Sequence, residues 1–154
     1  MIIRLAVDRD IHQLIKMRWD FTIEHDESKK NESYETFEKE CHAFLEQAIK
    51  GNQWFIWVAE DEGKVASHIF IELIHKVPRP GRVTNPFAYM TNVYTLPEYR
   101  NKGIGSKLLN TINNWIKDNN YEFVIVWPSD DSINFYKKNG YVHCTERWNI
   151  FHHR

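Results

Sequence analysis

The stretch LPEYRNKGIGSKLL, residues 96–109, decides the fold of this chain. Gly103 and Gly105 let the backbone approach a ligand closely, and they open a segment with helical periodicity. A helix N-terminus presents unpaired N–H groups and the positive end of the helix dipole. With Arg100 and Lys102 beside it, the stretch predicts a cradle for an anion such as a pyrophosphate. The alternative is a glycine turn that only lets the helix start.

The segments on either side form one unit with this stretch. Residues 87–95 (FAYMTNVYT) predict a strand that ends just before it, and the helix runs to about Asn119. Residues 121–127 (YEFVIVW) predict a buried strand that follows the helix. A strand–helix–strand crossover of this length is right-handed, so the two strands are predicted to be parallel.

Hydrophobic period and turn residues predict the remaining elements. These are a short strand over 2–7, a helix from Asp8 or Asp10 to about His25, a polar connection over 26–32, a helix from Ser33 to a stop at Gly51, strands over 53–60 and 64–75, a loop over 76–86, a short helix over about 130–138, and one or two closing strands within 141–153. The order β-α-α-β-β-β-α-β-α-β predicts an α/β fold, a mixed sheet with helices on its faces, in a single domain over residues 1–154.

Composition and charge exclude several classes of protein. With 20 Lys and Arg against 21 Asp and Glu, the net charge of −1 gives no global attraction to nucleic acid or to anionic lipid. Two cysteines make no disulfide framework. No apolar run approaches the roughly 20 residues of a membrane span, and the first residues lack the pattern of a signal peptide. We therefore expect a cytoplasmic protein, a monomer or a homodimer, without nucleic-acid or membrane partners.

Two blocks of sequence resemble one known family. Arg100, Gly103 and Gly105 match R-x-x-G-x-G, the acetyl-CoA pyrophosphate motif of the GNAT N-acetyltransferase superfamily. Residues 127–141 (WPSDDSINFYKKNGY) resemble that family's fifth-strand exit, short helix and terminal turn. Both blocks occur in order around the predicted strand–helix–strand unit, so the resemblance extends over roughly residues 87–141.

The resemblance implies where acetyl-CoA binds. In this family the fourth and fifth strands splay apart and the cofactor lies between them, with its pantetheine arm along the fourth strand. The implied contacts of that arm are Asn92, Val93, Tyr94 and Thr95, and the backbone near Val93 becomes a candidate donor to the thioester oxygen. The implied pyrophosphate contacts are the amides of Arg100, Asn101, Lys102, Gly103, Ile104, Gly105 and Ser106.

The resemblance also implies roles for three residues of the second block. Tyr136 matches the family's general-acid position, and an unperturbed tyrosine keeps its proton at neutral pH. The alternative is that Tyr136 only packs over the cofactor arm. Ser129 lies where other members often carry Asn and is a candidate hydrogen-bonding residue, although it could equally cap the next helix. Asn134 is a candidate cofactor contact, although exposure on a helix surface explains it as well.

The implied function is acetyl-CoA-dependent N-acetylation of a primary amine, on a small molecule or a peptide, by direct attack on the thioester. One rival is a non-catalytic acyl-CoA sensor that keeps the fold. The other is an unrelated phosphate-binding module, which leaves the block around Tyr136 unexplained. No metal is implied, because the His and Cys residues lack the paired spacing of a zinc site.

The sequence does not decide which residues bind the acceptor and remove its proton. The predicted strand 87–95 carries no carboxylate. The base candidates are Glu24, His25, Asp26, His68 and Glu72, and each is more readily explained as a solvated or structural residue. The family resemblance implies that the segments 20–35 and 76–86 set the acceptor. The acidic residues of the first segment weakly favour a cationic acceptor, although a solvated loop is the simpler interpretation.

Overall fold

The computed structural model describes residues 1–146 and Trp148. Its strands and helices follow the predicted order from the first strand to the last helix. They are β1 (Ile2–Leu5), α1 (Ile11–His25), α2 (Tyr34–Lys50), β2 (Trp54–Asp61), β3 (Lys64–Ile74), β4 (Phe87–Thr95), α3 (Ile104–Asp118), β5 (Val124–Val126) and α4 (Ile133–Lys138). Short 3-10 turns cover Asp8–Asp10, Glu27–Asn31, Pro97–Tyr99 and Asp130–Ser132.

The five strands form one mixed sheet in the order β1-β2-β3-β4-β5. The first four pair antiparallel, and β4 pairs with β5 in parallel. The predicted mixed sheet and the parallel crossover through α3 are therefore confirmed. β5 is shorter than the predicted strand over 121–127, because its ladder with β4 extends only from Ala88↔Val124 to Met90↔Val126.

Helices cover both faces of the sheet, and each face has its own hydrophobic core. Because side chains alternate along a strand, Phe70 of β3 packs with α1 and α2, whereas Ile69 and Ile71 pack with α3. The helix residues buried in these cores are Ile11, Leu14, Ile15 and Met17 of α1, Leu45 and Ala48 of α2, Leu108, Leu109, Ile112 and Ile116 of α3, and Tyr136 of α4. The sheet thus separates the α1 side of the molecule from the α3 side.

The starts of α1 and α2 are stabilised differently. Ser33 caps α2, its hydroxyl accepting the backbone N–H of Thr36 at 3.1 Å, as predicted. Asp10 occupies the position before α1 but makes no side-chain cap. Its carboxylate instead accepts the backbone N–H of Val7 at 2.8 Å and the Arg4 guanidinium at 2.7 Å. This buried carboxylate therefore ties β1 to the start of α1.

The closing strands predicted within 141–153 fall only in part on the described residues. Residues 141–146 and Trp148 contain no strand, and the rest of the prediction lies outside the described residues. No helix within residues 1–146 is long and apolar enough to cross a bilayer.

Candidate active site

A cleft opens where β4 and β5 separate. Beyond the Met90↔Val126 pair the two strands are no longer hydrogen-bonded to each other, and the gap has a volume of about 270 Å³. Its walls come from five parts of the chain, namely β4 (89–93), the end of β5 and the following loop (126–129), the 3-10 turn before α4 (Ser132), α1 (Arg18 and Phe21) and α4 (Phe135 and Tyr136). The splayed central strands implied by the resemblance are therefore present.

A β-bulge shapes the β4 wall of the cleft. Tyr94 pairs with His68 and Thr91 pairs with Phe70, so β4 carries one extra residue over this stretch. Asn92 in the bulge adopts a φ of +50°, an uncommon left-handed conformation for a residue other than glycine. Bulges bend a strand and interrupt its ladder. This bulge therefore turns the backbone at 92–93, an implied cofactor contact, away from the regular ladder.

His68 holds the bulge from the neighbouring strand. Its Nδ1 lies 2.9 Å from the Asn92 carbonyl oxygen, which can only accept, so Nδ1 carries the proton. The side chain is fully buried, and Nε2 has no hydrogen-bond partner among residues 1–146 and Trp148. Burial lowers the pKa of His68 to about 4, so the ring is neutral at pH 7. Such a ring is a poor base but a firm donor to the bulge.

The glycine turn leads into α3 as predicted. Asn101 and Gly103 adopt φ values of +63° and +79°, and α3 begins at Ile104. The N–H of Lys107 bonds to the Gly103 carbonyl at 3.1 Å, so the N–H groups of residues 104–106 precede the helical ladder and point out of its end. A Cβ on Gly105 would lie 3.4 Å from Phe135 of the cleft wall. The amide-rich end of α3 is therefore next to the cleft.

The side chains of Arg100 and Lys102 are engaged with the protein. Nε of Arg100 donates to the Thr95 carbonyl at 2.9 Å, and Nη2 donates to the Glu24 carboxylate at 2.9 Å. The Arg100 amide donates to the Pro97 carbonyl at 3.2 Å. Lys102 Nζ donates to the carbonyl of residue 98 at 3.0 Å. Arg100 thus ties the end of β4 to α1, and its charge lies beside the turn.

Tyr136 lies in the α4 wall of the cleft. Only 5% of the residue is exposed, and its ring packs against Phe135 and Tyr141. Its hydroxyl has no hydrogen-bond partner within the described part of the chain. Burial, followed by the nearby Tyr141, raises the pKa of Tyr136, so its hydroxyl keeps the proton at neutral pH. The Tyr136 hydroxyl is therefore available to donate its proton to a bound ligand.

The two other predicted contacts of the second block, Ser129 and Asn134, differ in their position relative to the cleft. Ser129 lines the cleft, and its hydroxyl donates to the Ser132 hydroxyl at 3.1 Å. Asn134 is exposed on α4 and does not line the cleft. Asn139, which the sequence did not single out, donates from Nδ2 to the Ser106 hydroxyl at 3.3 Å. It thereby fixes the end of α4 against the start of α3.

None of the five base candidates lines the cleft. The hydrogen bond from Arg100 lowers the pKa of Glu24, and burial offsets this effect in part. The ion pair with Arg100 therefore keeps Glu24 ionised. His25 contacts the carbonyl of residue 21, Asp26 bonds to Ser28, and Glu72 bonds to Gln53. Within the described residues no group of three or more His, Cys, Asp or Glu side chains is placed to hold a metal ion.

The surroundings of the cleft suit an elongated ligand with an anionic end. Unpaired amides at the start of α3 suit a pyrophosphate. The bulged edge of β4 suits an extended amide-containing arm, which can pair with strand backbone as a further strand does. Tyr136 supplies a hydroxyl donor on the opposite wall. The second sequence block therefore lines the opening in the sheet, and the glycine turn of the first block lies beside it.

Comparisons with known proteins agree with this geometry. The sequence profile of the Acetyltransferase (GNAT) family matches residues 11–141. A predicted acetyltransferase from Clostridium acetobutylicum, solved with acetyl-CoA, superposes with a TM-score of 0.77 at 25% identity, over 99% of each chain. An acetyltransferase from Trypanosoma brucei gives 0.71 at 16% identity, over 97% of this chain and 98% of that one.

An aminoglycoside N-acetyltransferase in complex with CoA gives a TM-score of 0.70 at 14% identity, over 99% of each chain, which is a likeness of fold alone. A search of curated protein sequences returned no significant match. The family profile covers most of the chain, and the splayed strands, bulge and glycine turn lie within the matched range. The chain therefore belongs to the Acetyltransferase (GNAT) family.

Proposed function

We propose that this protein is an acetyl-CoA-dependent N-acetyltransferase that acts on a primary amine. The observation that carries the proposal is that the bulged edge of β4 and the protonated hydroxyl of Tyr136 line one cleft, with the amide-rich start of α3 beside it. Acetyl-CoA supplies the acetyl thioester whose carbonyl an amine attacks directly. Membership of the acetyltransferase family supports acetyl-CoA as the donor.

In this proposal the glycine turn and β4 orient the donor. The amides of Ile104, Gly105 and Ser106 donate to the pyrophosphate, where the helix dipole adds to their effect. The β4 backbone over 92–95 positions the pantetheine arm. The bulge directs the backbone N–H near Val93 toward the thioester carbonyl, where a fixed donor stabilises the charge that develops on oxygen.

Tyr136 holds the proton that the departing thiolate needs. When the amine forms its bond to the acetyl carbon, the carbon–sulfur bond breaks and the electron pair remains on sulfur. The hydroxyl of Tyr136 donates its proton to that sulfur, and the proton that the attacking nitrogen loses as it becomes the amide passes through water back to the Tyr136 oxygen. Burial keeps this hydroxyl protonated beforehand.

Water accepts the proton of the acceptor amine. The described residues that line the cleft include no carboxylate and no histidine. The nearest candidates are engaged elsewhere, Glu24 with Arg100 and His68 with the bulge. Because a deprotonated amine is required for attack, activity should rise with pH as the acceptor loses its proton.

The test is acetyl transfer by the purified protein to a panel of amines and matched alcohols. We expect CoA release that depends on an amine, and a product heavier by one acetyl group that resists ester hydrolysis. The Tyr136→Phe variant is the matched control, since it keeps the ring and loses the proton. Binding of acetyl-CoA without transfer to any amine would instead support the sensor, and transfer only to alcohols would contradict N-acetylation.

A further inference from the structure

One charged side chain among the described residues of the cleft is not explained by acetyl-CoA binding. Arg18 of α1 is that residue, and the other lining residues are neutral. Its guanidinium is exposed, donates from Nη1 to the Asn92 side-chain oxygen at 3.2 Å, and lies 5.6 Å from the centre of the Phe21 ring. No carboxylate of residues 1–146 forms an ion pair with it.

Arg18 lies on the opposite side of the sheet from the anion cradle. α1 packs with the Phe70 and Tyr94 face, whereas α3 packs with the Ile69 and Ile71 face. A pyrophosphate at the start of α3 is therefore separated from Arg18 by the sheet. The cleft lies between β4 and β5 and is lined from both sides, so Arg18 stands at the end of the cleft opposite the anion cradle.

We propose that the acceptor is a small amine that carries a carboxylate and that Arg18 binds this carboxylate. The inference rests on the proposed N-acetyltransferase function. Arginine presents five N–H donors in a planar fork that matches a carboxylate, and only one is used by Asn92. Hydrogen bonding to Asn92 fixes the fork relative to the bulge. Phe21 and Tyr89 supply apolar walls for the hydrocarbon part of the acceptor.

The same surroundings disfavour a polycationic acceptor. Such an acceptor needs carboxylates at its binding site, and Arg18 repels it. None of the acidic residues Glu24, Asp26, Glu27 and Glu32 lines the cleft. Three of them are paired elsewhere, Glu24 with Arg100, Asp26 with Ser28 and Glu27 with Lys30. The weak sequence preference for a cationic acceptor therefore finds no support in the described lining.

The experiment compares paired acceptors on paired variants. L-amino acids are titrated into the CoA complex by calorimetry and assayed for acetyl transfer, each beside its carboxamide, with a polyamine as the third class. We expect amino acids to bind and react better than their amides. Arg18→Gln should weaken amino-acid binding by about tenfold or more, the effect of losing a charged hydrogen bond, and leave the amides and acetyl-CoA unaffected.

Arg9→Gln is the matched control, because Arg9 is an exposed arginine beside β1, at the other edge of the sheet. It should behave as wild type. Equal binding of amino acids and amides, a preference for the polyamine, or weaker acetyl-CoA binding in Arg18→Gln would overturn the inference. Acetylation of neutral or cationic amines but not of amino acids would overturn the inference and leave the proposed N-acetyltransferase function intact. Binding of amino acids without any acetylation would contradict the proposed function instead.

Discussion

Replacing His68 by asparagine should remove an acid-dependent loss of stability. The pKa of His68 is about 4 in the folded protein, because the ring is buried, against 6.5 for an exposed histidine. Between these values the unfolded chain binds a proton that the folded chain does not. The stability from this site is therefore present above pH 6.5 and is lost as the pH falls toward 4. The loss between pH 7 and pH 5 is about 2 kcal/mol in the free energy of unfolding.

The assay is urea unfolding at pH 7 and pH 5, followed by tryptophan fluorescence. The asparagine amide can still donate to the Asn92 carbonyl but does not titrate in this range. Any packing cost of His68→Asn is the same at both pH values, so the pH-dependent difference isolates the titration. His75→Asn, at an exposed position just after β3, is the control and should retain the wild-type pH dependence. Equal losses of stability in wild type and His68→Asn would refute the reasoning.

Three further substitutions test the rest of the site. Gly105→Val places a branched side chain against Phe135 and the α3 amides. It should weaken acetyl-CoA binding, measured by calorimetry, at least about tenfold, with the circular dichroism spectrum unchanged. Unaltered affinity would mean that the cradle lies elsewhere. Tyr136→Phe should lower kcat by about 10²–10⁴ at nearly constant acetyl-CoA affinity, and a kcat within about threefold of wild type would remove the hydroxyl from the mechanism. Glu24→Gln breaks a half-exposed ion pair with Arg100. It should lower the free energy of unfolding by no more than about 1 kcal/mol, and this loss relative to wild type should shrink at high salt. A salt-independent loss would indicate a packing role.

The elements with the strongest local signals were predicted to within a residue. β4 ends at Thr95 as its pattern indicates, and α3 begins after Gly103, where glycine and an amphipathic run coincide. β5 is shorter than its apolar run because strand length depends on a partner. The backbone of residues 122 and 123 bonds to residues 86 and 88, and β4 diverges beyond Met90.

The features missed by sequence reasoning depend on neighbours distant in the chain. The bulge at Asn92 lies opposite β3 between His68 and Phe70, and the His68 ring donates to its backbone carbonyl. Arg18 was not among the predicted site residues, because its contact with Asn92 joins α1 to a strand 74 positions further along the chain. Asp10 occupies a capping position, but its carboxylate accepts a hydrogen bond from Arg4 of β1 instead. Such pairings cannot be read from local periodicity.

A crystal structure of the protein with CoA bound tests the central claim most directly. The account predicts that the pyrophosphate accepts the N–H groups at the start of α3 and that the pantetheine arm follows β4 over residues 92–95. It predicts that the sulfur lies within hydrogen-bonding distance of the Tyr136 hydroxyl. CoA bound outside the cleft between β4 and β5, or a sulfur remote from Tyr136, would contradict it.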